Sequence, residues 1–134
     1  MASTGPRLFR VLLEVSDMSS AVAFYSTLLG AAGRPIHGGR HYYDHGDVIL
    51  GLLDVSAASR EPRPTPQNLY FAVTNLEQIH GLAAELGCLS GEDVHGEGGG
   101  QIRVRPWGER SFYAIDPFGN LLCFVDAETL FTGR

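Results

Sequence analysis

Hydrophobic and polar positions follow two periods along this chain, and the periods alternate in the same order twice. Val11-Leu12-Leu13-Glu14-Val15 reads as a strand. After Ser16-Asp17-Met18-Ser19-Ser20, the apolar positions Val22, Tyr25, Leu28 and Leu29 recur at helical spacing and stop at Gly30. The second half repeats this. Leu69-Tyr70-Phe71-Ala72-Val73 is a strand, Thr74-Asn75-Leu76 leads into a helix, and Ile79, Leu82, Ala83 and Leu86 form its stripe before Gly87. Ser19, with Asp17 or Asn75 nearby, supplies oxygens for the orphan N–H groups of a helix start. Gly30 and Gly87 stand where a left-handed residue ends a helix. Both stripes are read as core, because an amphipathic helix covers something.

Three strands are expected after each helix. In the first half they fall at about 34–37, 40–44 and 48–53. In the second half the first is placed at 89–94 or at 102–107, followed by 111–115 and 121–125. The segment 55–67 carries Pro62, Pro64 and Pro66 with no periodicity and reads as a connector. Glu97-Gly98-Gly99-Gly100 reads as a mobile loop, without the context of a phosphate loop. The chain is therefore of the α+β class, one domain of two βαβββ units, about 7–54 and 68–126. A short helical tail over 127–134 is placed to pack on a partner.

Bulk properties narrow the function. The 134 residues are enough for one domain with a real core, and 44% hydrophobic residues exclude a disordered chain. A formal charge of −5 gives no footprint for nucleic acid. The longest apolar runs, 48–53 and 121–125, are too short to span a bilayer, and no signal-peptide h-region opens the chain. Only Cys88 and Cys123 occur, so a reducing, cytoplasmic setting is expected.

The most specific motif is a hairpin. Trp107-Gly108-Glu109-Arg110-Ser111-Phe112 runs into Asp116-Pro117-Phe118-Gly119-Asn120, with Leu121 to Val125 as the return strand. Pro117 presets φ, Gly119 accepts φ > 0, and Asp116 and Asn120 bond nearby backbone. This WG-x-R-x-F…D-P-x-G-N pattern resembles the C-terminal signature of the glyoxalase/bleomycin-resistance/extradiol-dioxygenase superfamily, the vicinal oxygen chelate proteins. The resemblance implies that the strands curl into a mixed sheet around a concave ligand cavity, with the helices on the outer face. It also implies a homodimer, since two units from one chain or two form each site.

Enzymes of that superfamily commonly hold a divalent metal with His, Glu or Gln from the first and last strand of each unit. Carried onto this chain, those positions are Arg10 and Asn68 on the first strands. On the last strands they are Cys123 and either Leu50 or, one register step along, Gly51. Arginine repels a cation, leucine has no lone pair, and a lone thiolate is a soft-metal ligand. No metal and no other cofactor is expected, which places the chain nearest the metal-free bleomycin-resistance-like branch. Among the other candidates, His41, Tyr43 and His45 share a strand face, but His41 and His45 stand about 13 Å apart at the strand rise. His37 comes near His41 only through a hairpin, and His80 and His95 have no visible partners.

The same parity lists the cavity. With Arg10 go Leu12 and Glu14; with Asn68 go Tyr70 and Ala72; with Cys123 go Leu121 and Val125. Arg103, Arg105 and Trp107 share another face. His41, Tyr43 and Tyr113 complete the expected lining. Trp107 resembles a position that stacks on ligands in the drug-binding branch, or else is a core or interface residue. Arg10 and Glu14 form a salt bridge inside the cavity, or act as anion clamp and base. Cys123 reads as a packed small hydrophobe rather than a nucleophile. Two functions follow: a metal-independent protein that binds or sequesters a drug or natural product, or a lyase, isomerase or dioxygenase of the same fold.

Overall fold

The computed structural model describes residues 5–94 and 96–133; His95 and the last residue of the expected tail lie outside the described residues. Backbone contacts divide the chain into two compact units meeting at Arg63 and Pro64, within the proline-rich stretch.

The first unit runs β1 (Arg10–Val15), α1 (Met18–Leu29), β2 (Arg34–Ile36), β3 (Arg40–Asp44) and β4 (Ile49–Asp54). Its four-stranded sheet has the order β1-β4-β3-β2, with β1 parallel to β4 and the other pairs antiparallel. Asp17 caps α1, its carboxylate accepting from the Ser20 amide at 3.1 Å, and Gly30 ends it at φ +63°. The buried stripe is Ala21, Phe24, Tyr25 and Leu28. It is rotated from the expected one: Val22 and Leu29 are only half-buried. Leu13, Val15, Leu50, Leu52 and Tyr43 fill the core of this unit, and the Tyr43 hydroxyl reaches Ser26 of α1 at 2.8 Å.

The second unit runs β5 (Leu69–Val73), α2 (Leu76–Glu85), β6 (Asp93–Val94), β7 (Glu97–Gly98), β8 (Arg103–Val104), β9 (Arg110–Ile115) and β10 (Leu121–Asp126). The main sheet has the order β5-β10-β9-β8, again with one parallel pair, β5 and β10. Both segments expected to hold the intervening strand reach β9, the earlier one through an isolated bridge of Leu89 to Ala114. Residues 103–104 pair with β9, whereas β6 and β7 form their own two-stranded ribbon. The side chain of Asn75 makes no cap bond at α2; its amide donates to Gln78 instead. The Cys88 amide reaching Ala83 O and the Gly87 amide reaching Ala84 O close α2 in a Schellman turn. Leu86 lies past the last turn and is exposed, so it is not in the stripe. Phe71, Phe124 and Phe112 stack in series at 5.3 Å, and His80 of α2 meets Phe112 edge-on at 4.9 Å. Helix and aromatic row thus share one face of the sheet.

The glycine-rich segment is packed rather than loose. Gly99 and Gly100 are buried, and a Cβ on Gly100 would sit 2.6 Å from Ser90 O. The Gly99 carbonyl also accepts from the Tyr113 amide at 2.7 Å. Among the described residues no helix is long and apolar enough to cross a membrane.

Candidate functional site

The face of the second sheet opposite α2 carries the site. Register puts Tyr70 beside Cys123 and Cys123 beside Tyr113, one residue from each of three adjacent strands. Cys123, Tyr113 and Val125 form a buried cluster there, with Val94 packed on it. Above lies an open pocket of about 600 Å³. Tyr70, Phe71, Ala72 and Val125 of the sheet line it, together with Trp107 and Glu109 of the β8–β9 turn. Leu130, Phe131 and Thr132 of the C-terminal tail close one side.

The described part of that tail is not an α-helix. After a short 3₁₀ turn at Ala127–Thr129 it returns to its own unit. The Glu109 carboxylate accepts from Trp107 Nε1 at 2.7 Å through one oxygen and from the Phe131 amide at 2.8 Å through the other. Thr129 Oγ1 accepts from the Arg110 amide at 3.0 Å. One carboxylate thus fixes both the indole and the tail that wall the pocket.

Arg105 lies beneath this surface, only 2% exposed. Its Nε donates to Ser111 Oγ and its Nη2 to Ser111 O, both at 3.0 Å, and its guanidinium carbon sits 5.0 Å from the Tyr113 ring centre. Nη1 makes no hydrogen bond among the described residues; the Glu97 carboxylate stands 3.7 Å away. Burial pushes the Cys123 thiol up to about 11 and the Tyr113 hydroxyl up to about 12. A thiol so shifted is neutral at physiological pH and is a poor nucleophile.

In the first unit the structure separates the expected residues. His41 and Tyr43 lie in the core, not on an open surface: His41 is 7% exposed with Nε2 bonded to Ala32 O at 2.9 Å, and Tyr43 is held by α1. The face parity of a strand explains this, because Leu13, Leu50 and Leu52 bury the same face. Tyr42, one residue along, shares the face of Arg10, whose guanidinium lies 5.8 Å from its ring. Glu14 does not pair with Arg10. Arg60 grips it through two bonds of 2.7 Å and the Arg63 amide adds a third at 2.8 Å. These bonds hold the Glu14 carboxyl down at about 2, which removes it as a base near neutral pH. Asn68 is half-buried just before β5.

The carried-over metal positions can now be tested by their donors. In unit one the register makes Gly51, not Leu50, the equivalent of Cys123, since Gly51 pairs with Leu12 as Cys123 pairs with Tyr70. Arg10, Gly51, Asn68 and Cys123 offer a cation, no side chain, one amide and one protonated thiol. That set does not fit a divalent ion. His37 and His45 are exposed while His41 is buried, and no three His, Cys, Asp or Glu side chains group for a metal among the described residues.

Sequence reasoning missed Glu109, Leu130 and Phe131. Glu109 sits two residues from Trp107, a spacing that lets its carboxylate reach the indole across Gly108, but nothing local announced that the tail folds back.

A duplicated βαβββ chain with an open, aromatic-walled sheet face defines a recognisable class. A model of the Glyoxalase/Bleomycin resistance protein/Dioxygenase superfamily matches residues 7–124, and the chain belongs to that superfamily. No curated protein matches. Among solved structures, the chain is similar to oxidase ChaP-H2, at 25% identity and TM-score 0.71 over 90% of this chain and 93% of that one. It is similar to a glyoxalase/bleomycin resistance protein from Albidiferax ferrireducens T118, at 21% and 0.72 over 89% and 97%. It is also similar to a bleomycin resistance determinant encoded on transposon Tn5, at 18% and 0.66 over 92% and 99%.

Proposed function

We propose that this protein is a metal-independent small-molecule-binding protein that takes a planar aromatic compound, a drug or natural product, into the pocket of the second unit. One observation carries the reading: a pocket of about 600 Å³ walled by the aromatic side chains of Tyr70, Trp107 and Phe131, with few polar groups among its lining. Drug-sized ligands bind in apolar clefts of this volume, oriented by a small number of polar atoms. The donor set at Arg10, Gly51, Asn68 and Cys123 supports metal independence, and the bleomycin resistance determinant among the structural neighbours is consistent with sequestration. In this reading the protein is cytoplasmic and homodimeric, a second copy covering the exposed Leu8, Phe9 and Leu12 of the first unit.

Trp107 is the sole tryptophan, so its fluorescence reports on this pocket alone. A screen of polycyclic aromatic drugs should find saturable quenching that survives dialysis against a chelator. Binding that vanishes with chelation and returns with one equivalent of metal would refute metal independence; no quenching by any compound would refute the site.

A second reading is an enzyme of the same fold, and the similarity to an oxidase at 25% identity favours it. Mass spectrometry of a bound compound after prolonged incubation separates the two: recovery unchanged supports sequestration, and a new product supports catalysis.

A further inference from the structure

We infer that the first unit carries a ligand site of its own, on the sheet face opposite α1: Arg10 grips the carboxylate of an aromatic acid whose ring lies on Tyr42 and Leu12. Nothing in it depends on the second unit's pocket being a ligand site. Strand parity and register gather the face. Arg10 and Leu12 come from β1, Gly51 from β4, Arg40 and Tyr42 from β3, and Arg34, the cross-strand partner of Tyr42, from β2. A Cβ on Gly51 would meet Leu12 at 2.5 Å and Tyr42 at 2.9 Å. Leu12 and Tyr42 therefore meet above that glycine as an apolar floor, with Leu12 39% exposed. The Arg10 guanidinium is held beside the floor, its carbon 5.8 Å from the Tyr42 ring centre and 4.9 Å from that of Phe9.

Stacking occupies the face of a guanidinium and leaves its in-plane N–H groups free to donate. Among the described residues the ion pairs engage Arg60, Arg105 and Arg110, never Arg10, Arg34 or Arg40. Arg40 donates to the Tyr42 hydroxyl at 3.3 Å, so it too converges on that ring. Parity puts two carboxylates on the same face, and both are engaged. Glu14 is held by Arg60 and the Arg63 amide, and Asp44 accepts from the Gly46 amide at 2.8 Å. Three cations thus share the face with one carboxylate, Asp44, that no arginine pairs with. A ligand carboxylate matches the planar fork of Arg10, and an aromatic ring matches the floor beside it. An inorganic anion uses only the first of these features, and a neutral aromatic compound only the second.

The test titrates 2-naphthoate, 2-naphthylmethanol and inorganic phosphate into the full chain at low salt. Binding is read by NMR at the Arg10 side-chain Nε–H and the amides of Leu12, Tyr42 and Gly51, signals that report this face separately from the pocket. Naphthoate should saturate these shifts and bind about tenfold more tightly than the alcohol, the worth of a charged pair at an exposed site. Arg10→Gln should weaken naphthoate about tenfold, and Arg40→Gln about twofold through the lost field alone. Arg103→Gln, which removes the same charge from the second sheet, should leave it within about 1.5-fold; circular dichroism checks that each variant is folded. Equal binding of the alcohol overturns carboxylate recognition, and phosphate matching naphthoate at the same signals overturns the aromatic part. Equal weakening by Arg10→Gln and Arg103→Gln leaves general charge attraction only and overturns Arg10 as the grip. Titrations at protein concentrations about tenfold apart should agree. Loss of binding at the higher one means that a second copy covers Leu12 and Phe9, and overturns the site.

Discussion

Glu109 is the residue whose removal separates the pocket wall from the fold. Its two oxygens accept at 2.7 and 2.8 Å, from Trp107 Nε1 and the Phe131 amide. Hydrogen bonds to an ionised carboxylate contribute about 1.5–3 kcal/mol when buried, and at a half-exposed site water recovers part of this, leaving about 1 kcal/mol each. Neither bond lies in the core, so Glu109→Ala should open the tail locally rather than unfold the unit. About 2 kcal/mol of lost docking corresponds to roughly a thirtyfold rise in the open population. Hydrogen exchange at the Phe131 amide, followed by NMR, should accelerate by that factor, with little change in the exchange of β9 and β10. Glu109→Gln retains one acceptor oxygen and loses the charge, so about fivefold is expected. Trp107 should become more mobile, seen as lower fluorescence anisotropy, and affinity for pocket ligands should fall about tenfold. Unchanged exchange at Phe131 in Glu109→Ala would show that the tail is held by its apolar contacts and that the carboxylate is incidental.

Three other outcomes are expected. Asp116 is 3% exposed and accepts from the amides of Phe118 and Asn120 and from Asn120 Nδ2, each at 2.8 Å. Asp116→Ala should therefore cost about 3 kcal/mol, a fall in Tm of roughly 10 °C, and a loss below 0.5 kcal/mol in urea titration would contradict this. Glu14 is lowered from 4.5 to about 2 by Arg60, so its contribution to stability is complete above pH 4.5 and is lost as the pH falls towards 2. Glu14→Gln should flatten the urea midpoint across that window, and an acid limb identical to the parent's would locate the dependence elsewhere. Cys88 and Cys123 are buried with thiols pushed up to about 11, so an aromatic disulfide reagent should titrate neither in the native protein at pH 7.5 and both in urea. Rapid native labelling at Cys123 would mean that the sheet face is open to solvent.

The repeat was legible because its signals are local. A capping aspartate, a left-handed glycine and a switch of period need only a few consecutive residues, and they placed both helices and seven of the strands. The misread parts all depend on contacts distant in sequence. The α1 stripe rotated by one residue because Phe24, not Val22, faces the unit's own sheet. Gly99 and Gly100 read as slack in the sequence, yet Gly99 bonds to Glu92 O and to the Tyr113 amide, and Gly100 lets the chain pass close against Ser90. Composition cannot tell a glycine that loosens from one that fits.

For the site, parity holds in both units: Arg10, Leu12 and Glu14 share one face as Tyr70 and Ala72 do. Tyr70, Cys123 and Tyr113 share a face as counted, and the two-residue period carried Ala72 and Val125 with them. His41 and Tyr43, expected in the lining, lie on the core face instead, since they pair with Leu52 and Leu50, which are buried. Their polar atoms are satisfied inside, by Ala32 O and Ser26. Position 123 shows the same dependence on register. A last-strand carboxylate at position 123 would stand among Tyr70, Tyr113 and Ser111 with Arg105 buried close by, and would be neutralised by that cation instead of by an ion. Cys123 instead packs with Tyr113 and Val125, so the surface beneath the pocket is apolar.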